Sequence, residues 1–418
     1  MKKTVLFWLI FLLVIFSAAC APITRPEQDT VVDSLPLEAG QTLGQSFVAR
    51  FDGLNSVGIY LAPLEPGNGE IQLTLRNKAQ GQKLGRATIS IATITAPGFY
   101  RFSLPTQANS NQKDYYLTLK IKGAGSVNVG TAPGNTYLNG ALYHNGAPDD
   151  AHQMAFQLSY HPPRLAMGLL KEGLTWGWYL LVAAFLFVLP GWAILAGTGG
   201  RGDGVRGGES VEGETRGSDG DTPGNYTPDT HLVYLAMRNR WVKLGLAAGI
   251  SVAIYPILFL WTDLIGLHLG ALYAWIPPLA GAVLLLWKYV KAWHQGALKK
   301  LRLPGIQLAD AALLFVLGLV ILTRFWVIRS LPLPMWGDSY QHTMMAQLLV
   351  DNGGLFNSWK PYAELTTFTY HFGFHSLVAI FHWITQLSLP QSTLWVGQIL
   401  NILAVIVIYP LAMLIFNN

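Results

Sequence analysis

Two patterns divide the chain. From residue 21 to about 160, apolar and polar residues alternate with period two in 70-EIQLTLRN-77, 87-ATISIATI-94, 99-FYRFSL-104 and 115-YYLTLKIKG-123. Such alternation sends one face of each segment to a core and the other to solvent, and the Pro-Gly, Gly-Asn and Asn-Ser pairs between segments are turn signals. Short strands at this spacing predict an all-β sandwich, jelly-roll-like, over residues 21–160. Beyond it the pattern changes to apolar blocks at 174–195, 244–261, 269–287, 311–328 and 393–416. Each is close to the ~20 helical residues that cross a ~30 Å hydrocarbon layer. A weaker block, 372–389, carries two histidines. The expected fold class is therefore a multi-domain membrane protein, with an N-terminal all-β sandwich followed by an α-helical polytopic transmembrane region.

Composition agrees with that division. Of 418 residues, 51% are hydrophobic and only 12% charged, with a mean hydropathy of +0.34. The apolar excess is too large for one soluble core. The first twenty residues, MKKTVLFWLIFLLVIFSAAC, have a basic start and a short apolar run ending in Ser-Ala-Ala-Cys. They read either as an export signal with Cys20 as a candidate lipidation site, or as an uncleaved signal anchor. Cys20 is the only cysteine, so an intrachain disulfide is excluded.

The division of the chain follows from these segments. Residues 1–20 form the signal or anchor and 21–160 the sandwich. A first transmembrane helix covers 173–196, and two more lie within 243–290. Between them, residues 197–232 contain 199-GGRGDGVRGGESVEGETRGSDGDTPGNYTPD-229, with too few apolar residues to offset the entropy of ordering. A disordered cytoplasmic linker is expected there, and its RGD is read as chance. Residues 308–416 form a last membrane region of three helices with a loop at 329–372.

Charge sets the expected orientation. The segment 288-KYVKAWHQGALKKLRLPG-305 holds Lys288, Lys291, Lys299, Lys300 and Arg302 without an acid, and Arg238, Arg240 and Lys243 flank the 244–261 block. Basic residues favour the cytoplasmic side. Both segments inside place the sandwich, the 264–268 turn and the 329–372 loop outside. The net charge of +5 is accounted for by this topology and does not argue for nucleic acid. Within the sandwich, Tyr137 and Tyr143 are candidates either for stacking on sugar rings or for packing its edge.

The stretch 336-WGDSYQHTMMAQLLVDNGG-354 stands just after the 311–328 block. Asp338 and His342 are four residues apart, hence on one face of a helix, and Gly353 and Gly354 suit its stop. Asp338 is either the N-cap of an interfacial helix or a carboxylate presented to a substrate. His371 and His375 have a spacing that a metal accepts, and His382 shares the His375 face. Helix packing or phosphate contact accounts for the same histidines.

A span, an external acid, a short helix ending in glycine and an aromatic-rich return (368-FTYHFGFHSLVAIFHWITQL-387) resemble the start of a GT-C glycosyltransferase. The likeness is to the dolichyl-phosphate-mannose protein mannosyltransferase and aminoarabinose-transferase type, over residues 308–416. The resemblance implies Asp338 as a base for the acceptor nucleophile, with His342 beside it. Where the family carries a second acid this chain has Ser339. The resemblance also implies a polyprenyl-phosphate-linked sugar donor and a glycan, lipid or protein acceptor. Arg329, Lys360, His371 and His375 are candidates for the carrier phosphate, with Arg324 on the same rim. With a lipid-linked donor no nucleotide site is required; a divalent metal is compatible with the histidine spacing, but no H-E-x-x-H supports one. Family members carry many more spans, so the chain reads as part of a longer protein.

Three functions compete at this level. One is an enzyme of the outer face of the cell membrane that glycosylates an acceptor from a lipid carrier. Another is a non-enzymatic, membrane-anchored surface protein whose sandwich binds polysaccharide. A transporter is disfavoured, because the ionisable residues sit at span ends and not at mid-span.

Overall fold

The computed structural model describes residues 23–198, 239–295, 307–335, 337–366 and 371–416. The expected signal with Cys20, the expected linker beyond Thr198, Arg238, Lys299, Lys300 and Arg302 lie outside the described residues. The chain divides into two compact units, Met1–Leu174 and Thr175–Asn418.

The first unit is a sandwich of two antiparallel sheets. A seven-stranded sheet contains β1 (Ile23–Gln28), β2 (Asp33–Leu37), β4 (Leu54–Glu65), β7 (Gly98–Gln107), β9 (Ser126–Pro133), β12 (His152–Met154) and β13 (Phe156–Tyr160). A six-stranded sheet contains β3 (Thr42–Ala49), β5 (Glu70–Arg76), β6 (Lys83–Ser90), β8 (Lys113–Lys122), β10 (Leu142–His144) and β11 (Ala147–Asp149), in the order β11-β10-β3-β8-β5-β6. Alternation does the sorting: Ile71, Leu73 and Leu75 of β5 and Leu117, Leu119 and Ile121 of β8 enter the core, meeting Val57, Ile59, Phe156 and Leu158 of the other sheet. The expected strand at 87–94 ends earlier than its sequence implies. β6 stops at Ser90, and Ile91–Thr93 make a 3₁₀ turn that buries Ile91.

Tyr137 is not an exposed stacking residue. It is 4% exposed, packs edge-on against Phe156 at 5.2 Å, and its hydroxyl accepts the Val48 N–H at 3.1 Å. Tyr160 serves the Arg50 N–H in the same way, also at 3.1 Å. These core tyrosines satisfy main-chain donors near the end of β3, and burial drives both phenols upward, Tyr137 to about 12.

The second unit is helical. The helices are α1 (Pro162–Phe187, which begins in the first unit), α2 (Leu189–Thr198), α3 (Arg240–Leu264), α4 (Leu272–His294), α5 (Leu308–Ile328), α6 (Gly337–Asp351), α7 (Gly373–Thr385) and α8 (Leu389–Phe416). Five stretches are long and apolar enough to cross a membrane: 162–197, α3, α4, α5 and residues 389–409 of α8. The weaker block at 372–389 does not join them. It forms the 13-residue α7, about 20 Å long, which ends at Gln386 in a left-handed conformation.

Small residues let these helices close on each other. Gly191 faces α3 so tightly that a Cβ there would stand 2.1 Å from the Ala247 carbonyl oxygen, and the Ser251 hydroxyl accepts its N–H at 2.8 Å. Phe259 of α3, Tyr273 of α4 and Trp383 of α7 form a near-parallel aromatic stack, with Phe259 and Tyr273 centroids 4.0 Å apart. Asp310, at the start of α5, is buried and accepts hydrogen bonds from the Arg240 guanidinium and from Trp241 Nε1, the latter at 2.6 Å.

At the other ends of these helices, the turn after α3 meets the end of α6. Gly270 N–H donates to the Gly353 carbonyl at 2.8 Å. The His268 ring lies between Asn352 O, 3.0 Å from Nδ1, and Asp263 Oδ1, 3.2 Å from Nε2. The 264–268 turn and the end of α6 therefore lie on one side of the helical unit.

Candidate functional site

The helix expected after the 311–328 block forms as α6 and stops before Gly353, whose φ is 63°. Its apolar side, Met345, Ala346, Leu348 and Leu349, is buried against the helical core. Two cavities of about 380 Å³ each adjoin the helix, the first at the edge of this buried side, where His342 lies, and the second on the opposite side. The first is walled by Val327, Ile328 and Leu331 and carries Arg324, His342 and Gln398 as polar groups. The second lies beyond Ser339 and is lined by Tyr340, Thr343, Gln347 and Tyr362. An apolar wall with a few convergent polar groups is the usual make-up of a small-ligand site.

His342 and Arg324 are the sequence candidates that line the first cavity. His342 Nδ1 lies 2.9 Å from Nε2 of His375 on α7, and the rings are nearly stacked, 5.1 Å apart at 27°. His375 is 0% exposed. Burial pushes its pKa down to about 4, the neighbouring His342 acts in the same direction, and a hydrogen bond from the ring to the His371 main chain opposes them. α7 is outside the five spans, so this is the environment of a packed interior. His371 itself is exposed and supplies its backbone to this pair.

The other candidates are more dispersed. Asp338 is not an N-cap: it occupies the first turn of α6 and is exposed. Its carboxylate there complements the positive end of the helix dipole. It does not line either cavity. Arg329 stacks on Trp326, with its guanidinium carbon 4.2 Å from the ring centroid. Lys360 pairs with Glu364 at 3.2 Å, both side chains well exposed. His382 caps its own helix, Nδ1 lying 2.6 Å from the Leu387 carbonyl oxygen.

Among the described residues, no group of three or more His, Cys, Asp or Glu side chains is placed to hold a metal ion. Gln398 is the cavity group that sequence reasoning missed, since it sits inside an apolar helix and only the packing of α5 against α8 brings it to the same wall as Arg324.

No family model matches the chain, and no curated protein matches it. Among solved structures it is similar to CsCBM6-3 from Clostridium stercorarium, determined in complex with cellobiose. The identity is 17%, the match covers 27% of this chain and 90% of that one, and the TM-score is 0.17. At that score the likeness carries no argument about fold or function. The chain is thus described by its own architecture: an antiparallel β-sandwich followed by a helical region with five helices able to span a membrane.

Proposed function

We propose that this protein is a membrane glycosyltransferase of GT-C type, moving a sugar from a polyprenyl-phosphate carrier to an acceptor at the extracytoplasmic face of the cell membrane. The observation that carries the reading is the cavity beside α6, which joins an apolar wall at the end of a span-length helix to Arg324 and His342. A lipid-linked sugar phosphate has the same division, an apolar chain next to an anionic, hydroxylated head. In the proposed reaction the acceptor hydroxyl attacks the anomeric carbon of the donor sugar. The bond from that carbon to the phosphate oxygen breaks, and the polyprenyl phosphate departs with the electron pair. The acceptor's proton passes to His342, and Arg324 offsets the charge of the departing phosphate.

His342 lines the cavity, so it takes the role of base. Asp338, one turn earlier on α6, is the acid to which the family resemblance assigns that role. The test is transfer by the full-length protein in detergent from a short-chain polyprenyl-phosphate hexose. His342→Gln is expected to lower turnover by about 10²–10⁴ with normal expression, the usual range for loss of a positioned base. Asp338→Asn separates the candidates: a loss of that size in Asp338→Asn alone transfers the role to the carboxylate. Undiminished transfer in both variants removes this site from the mechanism. The rival reading, a non-enzymatic surface anchor, predicts no transfer from the unaltered protein.

A further inference from the structure

A second site lies on the sandwich, on the outward face of the six-stranded sheet. Register places its residues in rows across four strands: Gly44–Thr118–Thr74–Arg86 and Ser46–Tyr116–Arg76–Lys83, with Thr42 opposite Lys120 in the adjoining row. Together they floor a groove of about 470 Å³ whose cations are Arg76, Lys83, Arg86 and Lys120. Among the described residues none of the four forms an ion pair. The acids on the same face, Glu70 and Asp114, stand at the ends of their strands and do not line the groove. Four like charges are held together at a cost, and Lys83 registers it. Loss of solvent first, then Arg86, Arg76, Lys122 and Lys120, lower its pKa.

The groove is built rather than incidental. Tyr116 is 6% exposed although it points away from the core, because its hydroxyl lies across Gly44, where a Cβ would come within 2.2 Å of it. Tyr143 meets it edge-on at 5.3 Å. At the end of the groove, the Asn145–Gly146 turn is pinned to β3: Asn145 Oδ1 accepts the Thr42 N–H at 2.8 Å, and Asn145 N–H donates to the Thr42 carbonyl at 2.8 Å. Gln72, in the Thr42–Lys120 row, is 3% exposed and its Oε1 has no hydrogen-bond partner among the described residues.

We infer that this face binds an acidic polysaccharide, its carboxylate-bearing sugars lying across β3, β8, β5 and β6. The cations are spread along and across the groove, which suits a polymer with repeated anions better than one phosphate. Thr42, Thr118, Gln80 and Asn145 alternate with them and match sugar hydroxyls as donors and acceptors. A lipid surface fits less well, because the lining offers no large exposed aliphatic side chain to insert. Nucleic acid fits less well too, since the two tyrosines meet edge to face and present no stacking platform. The site is independent of the transferase reading, and either result at His342 leaves it standing.

The experiment is calorimetric titration of the full chain in zwitterionic detergent with polygalacturonate, with neutral dextran as the control. Polygalacturonate is expected to bind, more weakly as salt is raised, and dextran not to bind. Lys83→Gln combined with Arg86→Gln is expected to weaken binding about tenfold or more, with the melting temperature unchanged because both side chains are exposed. Lys120→Gln, from a different strand, is expected to weaken it in the same direction. Absence of polygalacturonate binding, or binding that neither variant weakens, overturns the proposal. So does displacement of polygalacturonate by a DNA oligonucleotide or by phosphatidylglycerol micelles at lower concentrations than by free polygalacturonate.

Discussion

His342 Nδ1 and His375 Nε2 share one hydrogen bond of 2.9 Å between a cavity wall and the interior of the helical unit. One nitrogen donates and the other accepts, so the partners cannot both direct a proton into the gap. A charged His375 is opposed by burial and by His342, which keeps the inner ring neutral behind the outer one.

That arrangement predicts a pH dependence of stability. The folded-state pKa of His375, about 4, lies below the ordinary 6.5, so between these values the unfolded chain binds the extra proton and the folded chain does not. Stability should fall as pH drops from 6.5 towards 4 and level off below that, with a limiting slope of about 1.4 kcal/mol per pH unit from this group. Thermal melts in detergent across this range test it. His375→Gln should flatten the slope; an unchanged slope would mean that other groups carry the acid sensitivity.

The core tyrosines predict a different cost. Tyr137→Phe keeps the ring against Phe156 but leaves the Val48 N–H without its acceptor, which should cost about 1–2 kcal/mol. Chemical denaturation followed by near-ultraviolet circular dichroism reads this. A loss well under 0.5 kcal/mol would show that solvent replaces the hydroxyl there.

At the contact of α2 and α3, Gly191→Val forces a side chain onto the Ala247 carbonyl. The helices must part, and overpacking of this type costs about 1–3 kcal/mol. The expected result is a lower melting temperature than that of Gly197→Val, a site where an added Cβ meets nothing within 4 Å. Equal melting of the two variants would contradict the close approach.

Asp310→Ala removes the acceptor that Arg240 and Trp241 share. Helices α3 and α5 lose their polar clasp, and Trp241 should shift its fluorescence as the indole N–H loses its partner. Asp310→Asn, which retains an acceptor oxygen, should fall between. An indole signal identical in all three proteins would rule out the clasp.

Much of this architecture is legible in the sequence where one segment decides its own structure. The alternation of 70–77 and 115–123 gives strands, the apolar blocks give span-length helices, and the two glycines after Asn352 stop α6. Tyr137 was harder to read, because it lies in an irregular stretch where no period assigns a face, and only the surrounding core shows it to be interior. The 372–389 block looks span-like by composition, but the left-handed Gln386 divides it into α7 and the start of α8. Of the cavity-lining residues, His342 and Arg324 were legible as candidates, while Asp338 of the expected pair lies outside the cavity. The partner of His342, His375, was visible as a histidine but not as a contact, since 33 residues separate them. The cationic groove draws single residues from four strands, so no local window contains it.

The His268 bridge has one more implication. Both groups it meets, the Asn352 carbonyl and the Asp263 carboxylate, can only accept, so both bonds form together only when each ring nitrogen carries hydrogen. The ring thereby ties the turn after α3 to the tail of α6. His268→Phe removes both bonds and should speed amide exchange at Gly270, whose N–H donates to the Gly353 carbonyl next to this ring; unchanged exchange there would rule the latch out. The catalytic helix proposed here is thus moored at its far end by a ring that belongs to another turn of the chain.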